Sequence, residues 1–162
     1  MNKKAELFDA YLKDKKITVF TVDEIKDDPL HTTVFRSHIE VGGARLPTIV
    51  ILDSSIYAMI RILVAPKALR EDNKPALREL MDSYNRQYKP FKYYTDSEGD
   101  LVLNTCLLFK AGELDGDMIY TMFGVLIRHL NDSYRDIMKS IWQWPGMREA
   151  LLRGRFSCVR FR

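Results

Sequence analysis

The amino-acid sequence predicts an α+β fold: a two-layer sandwich with a mostly antiparallel sheet and helices on one face. Three observations carry this. Apolar residues recur at helical spacing near both ends and the middle of the chain. Gly42-Gly43 and the run Ser97-Glu98-Gly99-Asp100 each separate two strand-like apolar runs. Helical and strand patterns come in blocks, in the order α-β-β-β-α-β-β-α, instead of alternating singly as a parallel sheet would require.

Each element has its own signal. Residues 3 to 14 place Leu7, Phe8, Tyr11 and Leu12 at helical spacing among lysines and acids, an amphipathic first helix. Ile17 to Val22 is a short β-branched run, and Asp23 to His31, with Asp27, Asp28 and Pro29, reads as a loop. Val34 to Val41 and Ala44 to Leu52 flank Gly42-Gly43, which supplies the positive φ angles of a tight hairpin. Asp53-Ser54-Ser55 is a second turn. Ile56 to Val64 is nearly continuously apolar, the pattern of a central strand. Pro75 fits only the first turn of a helix that carries Leu77, Leu80, Met81, Tyr84 and Tyr88 onto the sheet. Phe91 to Tyr94 and Leu101 to Phe109 form a further hairpin. Asp115 then caps a long helix running to about Ile141, where Trp142 to Pro145 ends it. A short helical segment follows from Met147 to Leu152, stopping at Gly154.

These elements make one domain, residues 1–145, with residues 146–162 as a short helix and basic C-terminal tail. With 46% hydrophobic and 29% charged residues the chain has the composition of a folded protein, not a disordered one. No apolar stretch follows Met1 to Leu7, so nothing there directs export, and a cytoplasmic location is expected. The longest apolar region, Leu46 to Ala65, is about the length of a membrane span but is interrupted by Asp53, Ser54, Ser55 and Arg61, so two strands joined by a turn explain it better. Cys106 and Cys158 are too few for a disulfide framework. Cys106, inside an apolar run, reads as a small buried hydrophobe.

No catalytic constellation emerges, and a non-enzymatic protein is expected. Asp96, Glu98 and Asp100 alternate as calcium ligands do, but the glycine is misplaced and no bidentate Glu follows, so an acidic hairpin turn is the better reading. His31, His38 and His129 stand at no metal-ligand spacing. His129, inside the long helix, reads as a solvated or core-edge histidine. Phosphate-binding glycine loops and nucleophile elbows are absent from the sequence, and no metal or cofactor is expected.

Binding surfaces are better represented. From Met118 to Leu130 the long helix has almost no polar face, and one sheet cannot cover its whole circumference. Met118, Met122, Phe123 and Ile127, with Trp142 and Trp144 beyond them, are the candidate residues for a protein partner or a homodimer. The formal charge of +3 is uneven: residues 148–162 carry five arginines against Glu149 alone, so the rest of the chain is −1. Arg153, Arg155, Arg160 and Arg162, interleaved with Phe156 and Phe161, are the candidates for an acidic partner or a nucleic acid.

The stretch Leu77-Arg78-Glu79-Leu80-Met81-Asp82-Ser83-Tyr84-Asn85, followed by Phe91 to Leu103 with its acidic-Gly-acidic turn, resembles the YbjN-type family of bacterial sensory transduction regulators. The resemblance implies a type III secretion chaperone-like fold. It also implies a bacterial, non-enzymatic protein whose relatives dimerise and hold extended segments of client proteins. The basic segment after Pro145 departs from that pattern, because secretion chaperones tend to be acidic. The functional expectation is a protein-binding regulatory or chaperone-like adaptor. A nucleic-acid-associated regulator acting through the arginines, and a small-molecule sensor, are the alternatives.

Overall fold

A computed structural model describes residues 1–142. The chain runs α1 (Lys3–Asp14), β1 (Thr21–Glu24), β2 (Thr33–Val41), β3 (Ala44–Leu52), β4 (Tyr57–Ala65), α2 (Lys74–Gln87), β5 (Lys92–Thr95), β6 (Leu101–Leu108) and α3 (Gly116–Trp142). The strands form one six-stranded antiparallel sheet in the order β1-β2-β3-β4-β6-β5. This is the expected α+β architecture, with one addition. The short strand β1 pairs with the start of β2 at the sheet's edge, so Asp23 and Glu24 belong to a strand where a loop is predicted.

Local chemistry sets the elements. Asn2 caps α1, its Oδ1 accepting from the Ala5 N–H at 3.0 Å, while its Nδ2 donates to the carbonyls of His31 and Leu52. One buried side chain thus ties the helix start to β3 and the loop before β2. Gly42 and Gly43 sit at φ 56° and 82°, positive at both central positions as a type I′ turn requires. A Cβ on Gly42 would also lie 2.8 Å from the Tyr134 ring. At the β5–β6 turn, Asp96 Oδ1 accepts from the N–H groups of Glu98 and Asp100, with Gly99 at φ 81°. Asp96 is spent on the turn's own backbone and Asp100 Oδ1 accepts from the Lys67 N–H at 2.7 Å, as a hairpin turn allows and a calcium loop does not.

Side chains alternate across the sheet. Phe35, Val50, Leu52, Ala58, Ile60, Ile62, Leu103 and Leu107 point to one face and are buried there with the helices. Phe8 of α1 meets Phe35 edge-on at 5.0 Å, and Tyr84 of α2 packs against Tyr93. α3 crosses the middle with Ile119, Phe123, Leu126, Leu130, Ile137 and Ile141 buried. α1 and α2 lie on its two flanks, and at the α1 side Gly116 lets the Tyr11 ring approach. The apolar circumference of α3 is therefore largely covered by its own chain. Trp144, the predicted short helix, and Arg153, Arg155, Arg160 and Arg162 lie outside the described residues.

Candidate protein-docking surface

The opposite face of the sheet carries no helix among the described residues. The pairing places Ile49 beside Arg61, Ile51 beside Met59, Met59 beside Cys106, and Tyr57 beside Leu108. Ile49, Ile51, Met59 and Leu63 are only half-buried, while Tyr57 is 50% and Leu108 65% exposed. Polar side chains frame this apolar centre: Arg36 paired with Asp23 at 2.6 Å, Arg45 against His38, and Glu40 on the β2 side, with Lys92 on the β5 side. Arg61 crosses the centre, its guanidinium 6.0 Å from the Tyr94 ring centroid. An apolar middle with a charged rim, carrying tyrosine and arginine, is the composition of a protein interface. Cys106 is exposed on this face, which corrects the buried reading. Partial burial raises its thiol pKa, against the lowering effect of nearby Lys4.

The residues singled out on α3 are not brought together. Met118 is 47% exposed and forms a narrow stripe with Met122 and Val125. Phe123 is 7% exposed and stacks among Phe20 and Tyr120, so it fills the interior and offers no anchor to a partner. Ile127 joins it in lining a small cavity against Val19, Phe20 and Ile39. Trp142 lies two turns beyond Tyr134 at the far end of the helix, 59% exposed, with the Arg70 guanidinium 5.1 Å from its ring.

That end of α3 overhangs a groove. Tyr134, Met138 and Trp142 form one wall, and Ala44 to Pro47 and Leu63 to Pro66 form the other, around about 450 Å³ of almost wholly apolar space. Arg70 Nη2 and Asn73 Nδ2 both donate to the Ile141 carbonyl, at 2.7 and 2.9 Å, and so tie the end of α3 to the segment before α2. A second depression continues from the shared residues Pro47 and Leu63 onto the open face, reaching Ile49, Arg61, Asp96 and Asp100.

Two buried polar groups belong to the fold. His129 lies in a cage of Tyr84, Tyr88, Phe91 and Tyr93, with the Tyr93 hydroxyl 2.9 Å from Nε2 and no partner for Nδ1 among the described residues. Burial lowers its pKa to about 4 despite the opposing charge of Asp132. That makes His129 a core residue. Lys4 is buried, bonded to the Tyr57 carbonyl and 3.7 Å from Asp53, and desolvation lowers its pKa. Among the described residues no three His, Cys, Asp or Glu side chains gather as metal ligands, and no helix is long and apolar enough to cross a membrane.

Sequence reasoning missed the open face although its signal was present. The near-continuous apolar run of β4 fits a strand buried on both sides. The strand is central, but among the described residues helices cover one side only.

Fold and surface together define an α+β sandwich with one face of its sheet uncovered among the described residues. No model of a known protein family matches the chain, and no curated protein matches it.

Proposed function

We propose that this protein is a non-enzymatic, protein-binding adaptor of the regulatory or chaperone-like kind, and that its docking surface is the helix-free side of the sheet. The occupant is an apolar segment of a protein partner laid across Ile51, Tyr57, Met59 and Leu108. The observation that carries the reading is the second apolar face of β3, β4 and β6, which no element among residues 1–142 covers. A soluble domain keeps so contiguous an apolar area exposed at a cost in solubility, and such patches mark interaction sites. Kinship with YbjN-type regulators, and cytoplasmic residence, accord with this role and belong to the same proposal.

The test is salt. Fluorescence anisotropy with a labelled peptide of alternating apolar and polar residues is expected to give an affinity nearly unchanged between low and high salt, because apolar contact is not screened. Tyr57→Glu with Leu108→Glu is expected to abolish it. Binding instead of a single-stranded oligonucleotide, falling steeply as salt rises, would replace the adaptor with the nucleic-acid regulator.

A further inference from the structure

We infer that the partner segment bound on the open face is selected by charge as well as by apolar contact: it carries an acidic residue that meets Arg61 and, about four residues along an extended chain, a basic residue that meets Asp96 and Asp100. The inference rests on the adaptor reading above and specifies the chemistry of its partner.

Arg61 sets the acidic position. Of the other cations on that side of the sheet, Arg36 is paired with Asp23, Arg45 lies against His38, and Lys92 donates to the carbonyls of Asn85 and Tyr88. Arg61 is in no ion pair among the described residues. Its Nε reaches only the Asn104 side chain, at 3.5 Å, and its guanidinium lies over the Tyr94 ring. It is half-buried beside Ile49, in the middle of the apolar area. A partner that covered it with apolar side chains alone would strip water from the guanidinium and supply no countercharge, which offsets the gain from apolar contact. A carboxylate removes that cost, because it accepts two N–H bonds at once from the planar group.

The register places the opposite charge. Along β6, Asn104 beside Arg61, Val102 beside Leu63 and then Asp100 occupy alternate positions on one face. Asp96 stands opposite Asp100, its N–H donating to the Asp100 carbonyl. Arg61, Leu63, Val102 and both acids line one depression of about 230 Å³. Backbone N–H groups hold the two carboxylates, those of Glu98 and Asp100 on Asp96 Oδ1 and that of Lys67 on Asp100 Oδ1. Neither acid is in an ion pair among the described residues, so their negative charge has no countercharge there.

Side chains on one face of a strand recur every second residue, roughly 6.6 Å apart, so the acids stand about 13 Å from the Arg61 position. In the other direction Met59 with Ile51, then Tyr57 with Leu108, follow at the same step. An extended segment lying along β4 has the same repeat. Its side toward the sheet therefore reads apolar, apolar, acidic, apolar, basic at alternate residues. A segment with the two charges exchanged meets like charge at both places and is rejected.

The experiment is fluorescence anisotropy on the full chain with three labelled peptides that share one alternating apolar pattern. The matched peptide has Glu at the central position and Lys four residues on, the exchanged peptide has the two swapped, and the neutral peptide has Gln at both. Each is made in both chain directions and compared in the direction that binds tighter. The matched peptide is expected to bind at least about tenfold tighter than the exchanged one, with the neutral peptide between them. Arg61→Gln is expected to cut that ratio at least about threefold, and Asp96→Asn with Asp100→Asn to remove most of the remainder, both at the wild-type urea midpoint. The Arg61→Gln arm stands alone where the turn variant loses stability. Equal affinities for the three peptides, with binding still lost in Tyr57→Glu with Leu108→Glu, would overturn the inference and leave the adaptor reading standing. A matched advantage unchanged in Arg61→Gln would also overturn it. A doubled mass in light scattering without peptide, lost in Arg61→Gln, would give the face to a second copy. No binding of any peptide removes the adaptor reading and the inference together.

Discussion

His129 shows how one buried side chain makes the whole fold sensitive to pH. Four aromatic rings surround it, and burial lowers its pKa to about 4, below the value near 6.5 of an exposed histidine. Between those values the unfolded chain binds a proton that the folded chain does not, so stability rises with pH across the window. It is fully present above about pH 7 and lost progressively toward pH 4, by up to roughly 3 kcal/mol. Urea midpoints are expected to fall between pH 7 and pH 5. In His129→Leu that fall should shrink, the remaining slope coming from carboxylates. An identical slope in the variant would show that His129 does not control the dependence.

At the scale of elements, Asn85 joins α2 to the sheet's edge. Its Oδ1 accepts from the Tyr93 N–H at 2.7 Å and its Nδ2 donates to the Tyr93 carbonyl at 2.9 Å, so one side chain bonds edge strand β5 as a neighbouring strand would. Asn85→Ala leaves both groups of Tyr93 without those bonds and is expected to cost about 1–3 kcal/mol in denaturant unfolding. A cost near zero would show that water replaces the amide freely. Gly116 plays the corresponding part between α1 and α3: a Cβ there would sit 2.3 Å from the Tyr11 ring, whose hydroxyl bonds Asp117. Gly116→Ala is expected to push α1 outward and lower the melting temperature by several degrees, although alanine is the better helix former. Gly116→Ala with Tyr11→Ala should recover part of that loss, which a purely local effect on α3 would not allow.

The same elements explain what the sequence could and could not reveal. The hairpins were legible because glycine at Gly42-Gly43 and Gly99 has a local, steric meaning. The helices were legible because their apolar spacing needs no partner to be recognised. β1 was not, since Asp23 and Glu24 are turn-like residues held in a strand only by pairing with Val34 and Thr33. The candidate site was half legible. The excess of apolar surface was visible, but its location depends on which element lies beside which. α1 and α2 flank α3 and turn Phe123 inward, which leaves the excess on the far side of the sheet.

That transfer decides where the whole molecule can associate. A dimer built around the first half of α3 would have to be made from Met118, Met122 and Val125, the stripe its flanking helices leave exposed, since Trp142 lies at the far end of the helix. A standard interface buries about 800 Å² per partner, beyond what three side chains can supply. The open face is larger. Six strands at about 4.8 Å spacing, several residues long at about 3.3 Å per residue, offer an area of the right order. Association of any kind, with a partner or with a second copy, is therefore expected to use the sheet. Light scattering and sedimentation at micromolar concentration separate the two surfaces. Met118→Glu with Val125→Glu is expected to match the wild-type mass at every concentration and to bind the apolar peptide as tightly. Tyr57→Glu with Leu108→Glu is expected to lose peptide binding, and to lose any concentration-dependent gain in mass. A fall in mass confined to the Met118 and Val125 variant would return the interface to α3 and leave the open face without this role.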